Sequence, residues 1–156
     1  MKILFVCTGN TCRSPLAEAI ARKIAIERGL QDVEAVSAGT SANDGSPASD
    51  GSLLVGMERN MDLSAHRSQT LSRDLVRDAD LILAMGPHHL ERIEALGGGD
   101  KAYLLSDFAS RGVSQRAIND PVGAPLDVYR ATADELEEEI RRVLDRITAE
   151  RGSGAA

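Results

Sequence analysis

Residues 1–29 read MKILFVCTGNTCRSPLAEAIARKIAIERG and divide into three segments. Lys2 to Val6 is a short, mostly apolar run, as in a strand covered on both faces. Residues 15–28 put Leu16, Ile20 and Ile24 on one helical face, and Gly29 ends the pattern. Between them, Cys7 to Ser14 is small or polar, and Gly9 and Asn10 tolerate left-handed backbone angles. Strand, pliable loop, helix is the start of a βα unit.

The rest of the chain repeats that alternation. A second strand is predicted at 33–38. A polar loop follows at 39–52, then a helix from about Pro47 to Arg59 and a short one at 71–79 with Ser72 as its cap. DLILAM (80–85) reads as an inner strand, PHHLERIEAL (87–96) as a helix with proline at its start, and KAYLLS (101–106) as a fourth strand. Residues 107–130 read as one long loop carrying NDPVGAP, and loops of that length in compact domains are usually functional or disordered. A last helix is predicted over about 132–150. Four strands separated by helices imply right-handed crossovers. The expected fold is therefore α/β: a single-domain, three-layer sandwich, with a four-stranded parallel, Rossmann-like sheet between helices on both faces. Its ligand site belongs beyond the carboxyl ends of the strands, where the strand order switches.

Composition narrows the function. The chain has 156 residues, 42% hydrophobic and 27% charged, which suits one domain with its own core. A net charge of -6 gives no global field toward nucleic acid or anionic membranes, and 3% aromatic residues argue against a base-stacking platform. No apolar run approaches the ~20 residues that span a bilayer, and Met1–Val6 is too short for a secretory signal core. The expectation is a cytoplasmic monomer with no nucleic-acid or membrane partner. Its two cysteines, Cys7 and Cys12, are then thiols rather than a structural bridge.

An anion site must therefore be built locally, and residues 7–14 can build one. A loop that curls turns its amide N–H groups to one point, and the following helix adds its positive dipole end. Arg13 supplies a planar fork for two oxygens of a tetrahedral anion. Cys7 beneath that anion would be held as thiolate, a soft nucleophile, with Ser14 donating a hydrogen bond to it. The loop lacks G-x-x-x-x-G-K-[ST] and G-x-G-x-x-G, so it is neither a nucleotide P-loop nor a dinucleotide fingerprint. The bland alternative is a buried, inert cysteine at a tight turn. Attack on phosphorus also needs a proton for the leaving group. Asp120, before Pro121 in the long loop, is the candidate acid and base, ahead of Asp127 and Asp107.

The chain resembles the low-molecular-weight protein-tyrosine-phosphatase family across nearly its whole length, and within it the bacterial protein-arginine-phosphatase branch. The matching stretches are FVCTGNTCRSPLAEA, VSAGT, LSAHRSQTL, ADLILAM and NDPVGAP, in that order. The resemblance implies a phosphatase domain over residues 1–150 with a disordered tail at 151–156. It implies two-step hydrolysis of phosphorylated protein side chains through a cysteinyl-phosphate, with no metal and no cofactor. Cys7 would be the nucleophile, Arg13 the phosphate fork and Asp120 the acid/base. Thr8, Gly9, Asn10, Thr11, Cys12, Arg13 and Ser14 would form the phosphate loop. Ser37 and His66 would pin Asn10 from behind. His88 and His89 read as a solvated helix start.

Two positions bear on specificity. Tyrosine-directed members carry a bulky aliphatic residue, usually Ile, where Thr11 stands; arginine-directed members carry Thr, which leaves room for a branched guanidino group. Tyrosine-directed members often place an aromatic just after Asp-Pro, and arginine-directed members tend to have Phe there. Val122 departs from both and leaves a thin wall against a phenyl ring. Phosphoarginine is favoured over phosphotyrosine. Arsenate reductases share a similar loop but need resolving cysteines downstream, and none follows Cys12. Cys12 itself is either a small buried thiol or a partner for a reversible, protective disulfide with Cys7.

Overall fold

The computed structural model describes residues 1–155, with residues 152–155 traced as backbone. The elements in chain order are β1 (Lys2–Cys7), α1 (Arg13–Glu27), β2 (Glu34–Gly39), α2 (Asp50–Glu58), α3 (Arg73–Asp78), β3 (Leu81–Ala84), α4 (Pro87–Ala95), β4 (Ala102–Leu104), α5 (Leu105–Ala109) and α6 (Leu126–Ala155). The four strands pair in parallel in the order β2-β1-β3-β4.

Strand alternation explains the three layers. Ile3, Phe5 and Cys7 of β1 face a core shared with α1, α2, α5 and α6. Leu4 and Val6 face a second core with Val76 of α3 and Ile93 of α4. Both sides of the central strands are dry, so the run ILFV is apolar throughout rather than alternating. α6 contributes Ala133, Leu136, Ile140, Val143, Leu144 and Ile147 as one buried stripe. Its outer face carries Glu137–Arg141, Glu138–Arg142 and Arg146–Glu150 pairs one turn apart.

From β1 the chain moves to β2 on one side and later to β3 on the other, so the order switches at the carboxyl end of β1. Cys7 is the last residue of that strand. Cys7 thus lies at the switch in strand order, where ligand sites of open α/β sheets form.

Several boundaries differ from the expectations; α2 starts at Asp50 rather than near Pro47, capped by Ser49, and the changes around the long loop are larger. The fourth strand stops at Leu104, because Leu105 turns inward and Ser106 uses its hydroxyl on the carbonyl of Arg116, 2.6 Å away, starting α5 instead. The long loop is thereby shortened to 110–125. α6 begins earlier, at Leu126, and continues through Ala155, so residues 151–155 of the expected tail are helical, while Ala156 lies outside the described residues.

Candidate active site

Among the described residues, the backbone of residues 7–14 is turned inside out relative to an ordinary loop. Its carbonyls are bonded outward: Cys7 O accepts from Thr40, Thr8 O from Ser41 and Thr11 O from Ser49, each at 2.8–2.9 Å. Cys12 O accepts from the Ser52 hydroxyl at 3.2 Å. Among the described residues, the N–H groups of Gly9, Asn10, Thr11, Cys12, Arg13 and Ser14 find no acceptor. A set of unpaired donors at a helix N-terminus, held by outward carbonyls, is an anion cup.

Asn10 makes the curl possible. Its φ is +56°, in the left-handed region, and it is fully buried. Its amide nitrogen donates to Ser14 Oγ (2.7 Å) and Ser37 Oγ (3.0 Å). Its side-chain oxygen accepts from the Gln69 N–H, and its carbonyl from His66 Nε2 at 2.7 Å. Ser37 and His66 thus both bond to Asn10, the residue the sequence reading assigned them to support. Ser37 in turn donates to Glu18, which pairs with Arg22. Gly9 does not share the left-handed geometry, so its expected role falls to Asn10 alone.

Cys7 and Ser14 lie at the floor of the cup. Their Sγ and Oγ are 2.9 Å apart, and because Ser14 Oγ already accepts from Asn10, its own proton is left for the sulfur. Both side chains are buried. Thr11 sits half-buried on the rim. Cys12 points away, donating to Ser49 Oγ at 3.2 Å with Tyr129 Oη at 3.5 Å, and both cysteines are free thiols.

Arg13 spans the two loops. Its Nη1 donates to the Ile118 carbonyl (3.0 Å) and its Nη2 lies 3.5 Å from Asp120 Oδ2. Its Nε is buried with no partner among the described residues. A buried guanidinium donor left empty is costly unless an anion fills it. The donor set of the cup fits a tetrahedral oxyanion.

The loop 110–125 reaches this place from the far edge of the sheet. The Ile118 N–H donates to Met85 O at the end of β3, tying the loop to the sheet. Arg116 bonds Glu139 of α6 at 3.1 Å. Burial outweighs the Arg116 and Arg142 charges and raises the Glu139 carboxyl above its ordinary range. Asp120 stands at the mouth of the cup, its Oδ1 capping the Val122 N–H at 3.1 Å. Asp107 lies on α5 and Asp127 in the first turn of α6, and neither has a bond to Arg13. Val122 is 64% exposed.

His89 corrects the reading of the histidine pair. His88 is exposed, but His89 is fully buried. It folds back over the start of α4, where its Nδ1 accepts the Gly86 N–H at 3.0 Å and its Nε2 lies 2.9 Å from Thr8 Oγ1. Burial, then the His88 and Arg13 charges, press its pKa from 6.5 down to about 4, so the ring is neutral at pH 7. Gly39 was also missed. A Cβ there would come within 2.5 Å of the Thr8 carbonyl and 2.9 Å of the Asn10 nitrogen. The motif VSAGT was the visible signal, but its reason is the close approach of the end of β2 to the loop.

Residues 2–153 match the model for the low molecular weight phosphotyrosine protein phosphatase family. The chain is 38% identical over 153 residues to a protein-arginine-phosphatase of Bacillus subtilis, covering 97% of this chain and 99% of the relative. It is 40% identical over 151 residues to the protein-arginine-phosphatase of Geobacillus stearothermophilus, covering 96% and 97%. A solved YwlE arginine phosphatase mutant with a phosphorylated active-site serine superposes with a TM-score of 0.88 at 38% identity, covering 97% of this chain and 98% of that one. The cup and the nearly full-length matches agree: this chain belongs to the low-molecular-weight phosphotyrosine protein phosphatase family.

Proposed function

We propose that the protein hydrolyses phosphorylated side chains of proteins, phosphoarginine in preference to phosphotyrosine, with Cys7, Arg13 and Asp120 as its catalytic residues. One observation carries the reading: Cys7, its sulfur 2.9 Å from the Ser14 hydroxyl, opens a loop whose N–H groups from Gly9 to Ser14 are unpaired among the described residues, as is the buried Nε of Arg13. Such donors match the spread charge of a phosphoryl group in transit better than they match water.

In the first step the thiolate attacks phosphorus, an S–P bond forms and the P–N bond breaks. Asp120, protonated, gives its proton to the departing guanidino nitrogen. In the second step the Asp120 carboxylate takes a proton from water. The water oxygen bonds to phosphorus, the S–P bond breaks, and inorganic phosphate and the thiolate are released. The Ser14 hydroxyl stabilises the sulfur anion in both its free and departing states. No step requires a metal.

Specificity rests on the rim. Thr11 is shorter than the Ile of tyrosine-directed relatives and carries a hydroxyl beside the attacked atom. Val122 offers no flat face for a phenol. Both protein-arginine-phosphatase relatives match this chain nearly end to end, which supports the same preference. The second reading, phosphotyrosine, is favoured by a PtpB tyrosine phosphatase of Staphylococcus haemolyticus at 38% identity over 137 residues. No described helix is long and apolar enough to cross a membrane, and we place the enzyme in the cytoplasm as a monomer acting on phosphorylated proteins. Rates on matched phosphoarginine and phosphotyrosine peptides, with chelator present, decide the matter. Faster turnover of the arginine peptide is expected, and faster turnover of the tyrosine peptide reverses the assignment.

A further inference from the structure

We infer that His89 is a positioning residue of the phosphate loop, acting through Thr8: its imidazole tethers the Thr8 hydroxyl and leaves that hydroxyl's proton for an oxygen of the substrate's phosphoryl group. The direction of each hydrogen bond fixes this role. Gly86 N–H points at His89 Nδ1, so that nitrogen carries a lone pair and the ring's proton resides on Nε2. Nε2–H then donates to Thr8 Oγ1 across 2.9 Å. The hydroxyl has one proton of its own, which cannot point back along the bond it accepts, and it has no other protein partner among the described residues.

The rest of Thr8 is already fixed. Its carbonyl accepts the Ser41 N–H at 2.9 Å, and Gly39 lets the end of β2 pack directly against it. The one freedom left is the side-chain torsion, and His89 removes it. The imidazole is fully buried at the N-terminal turn of α4, directly after β3, so its own position is set by the sheet. A residue on the neighbouring strand's exit thereby finishes the cup that begins on β1. Preorganised donors of this kind act without reorganisation when charge develops. Neutrality suits the task, since a neutral ring keeps Nδ1 as the acceptor that fixes its orientation.

This inference rests on the phosphatase reading of the Cys7 cup, and its test separates the two. The measurements are the dissociation constant of inorganic phosphate by calorimetry, and kcat and KM on an aryl phosphate. They are made on the parent, Thr8→Val, His89→Leu, the double variant and His89→Gln. Thr8→Val and His89→Leu should each weaken phosphate binding about tenfold, the size of one hydrogen bond to a charged group. The double variant should also lose about tenfold, because both changes delete the same device. His89→Gln, whose amide can donate from nearly the same place as Nε2, should recover most of the loss. If the double variant loses the product of the two single effects, or Thr8→Val binds phosphate as the parent does, the positioning role is wrong. Should His89→Leu not fold, Thr8→Val and His89→Gln still decide it. A parent that binds phosphate but turns over no phosphorylated substrate would sink the phosphatase reading instead, leaving the binding cycle readable.

Discussion

The two loops that form the active site are built in opposite ways. The phosphate loop is mostly buried, and its carbonyls and supporting side chains are bonded outward: Asn10 and Ser14 are fully enclosed, and Asn10 alone engages Ser14, Ser37, Gln69 and His66. The loop at 110–125 lies on the surface, with the Asp120 side chain 45% exposed and Val122 64% exposed. It is anchored at Arg116 and Ile118, and Asp120 and Val122 lie beyond those anchors, toward Arg13 and solvent. The contrast separates two demands. Stabilising a phosphoryl group in transit requires donors already in place. Accepting a protein side chain requires a wall that substitution can reshape at small cost to stability.

Removing Cys7 attacks the rigid loop at its centre. Cys7→Ser should lower kcat by about 10⁴-fold or more while phosphate binding persists. Single-turnover rates close to those of the parent would exclude Cys7 as nucleophile. The exposed loop is probed by Asp120→Ala. A poor leaving group should slow by roughly 10²–10³-fold, and a good one such as para-nitrophenol by less than about tenfold. Equal losses across a leaving-group series would mean that the proton comes from elsewhere.

How strongly the rigid side resists protonation is read through His89. Its folded pKa of about 4 lies below the unfolded value near 6.5, so between these values the unfolded chain binds the extra proton. Stability from this group is therefore complete above about pH 6.5 and falls as the pH drops toward 4, by roughly 3 kcal/mol. His89→Gln should flatten that part of the urea-midpoint profile. Matching slopes for parent and variant would show that the ring is not held neutral.

Two glycines in or beside the same loop sharpen the comparison further. Gly39→Ala drives a methyl group against loop backbone and should cost about 1–3 kcal/mol of stability, with weaker phosphate binding. At Gly9 the nearest atom to a new Cβ is Thr11 Oγ1 at 3.6 Å, and φ is not in the left-handed region. Gly9→Ala should therefore cost under about 1 kcal/mol. Denaturation midpoints that reverse this order would reject the close-packing account. The smallest effect lies at the rim, where Thr11→Ile should move the phosphoarginine-to-phosphotyrosine ratio of kcat/KM about tenfold toward tyrosine. An unchanged ratio would locate specificity outside the phosphate loop.

The strand–loop–helix beginning was legible because a short continuous apolar run, a small and polar loop and a 3.6-residue apolar spacing follow one another within 29 residues. Ser72 as a cap and Pro87 at a helix start were equally readable, since their chemistry is local. KAYLLS misled because β4 pairs only with β3, so its length depends on where Ser106 finds a partner ten residues away. His89 misled because helical spacing does not say which residue of a first turn folds back under it.

Sequence alone settled the parallel α/β plan, and it singled out the Cys7-to-Arg13 spacing and the Asp120-Pro121 stretch as candidates for the site. Each depends on neighbours within a few residues or on a simple alternation of apolar side chains. Tertiary structure decided which donors remain empty, that Arg13 bridges both loops, that Gly39 must lack a side chain, and that His89 is buried against Thr8. These depend on distances between segments far apart in the chain, and no local pattern of residues encodes a distance.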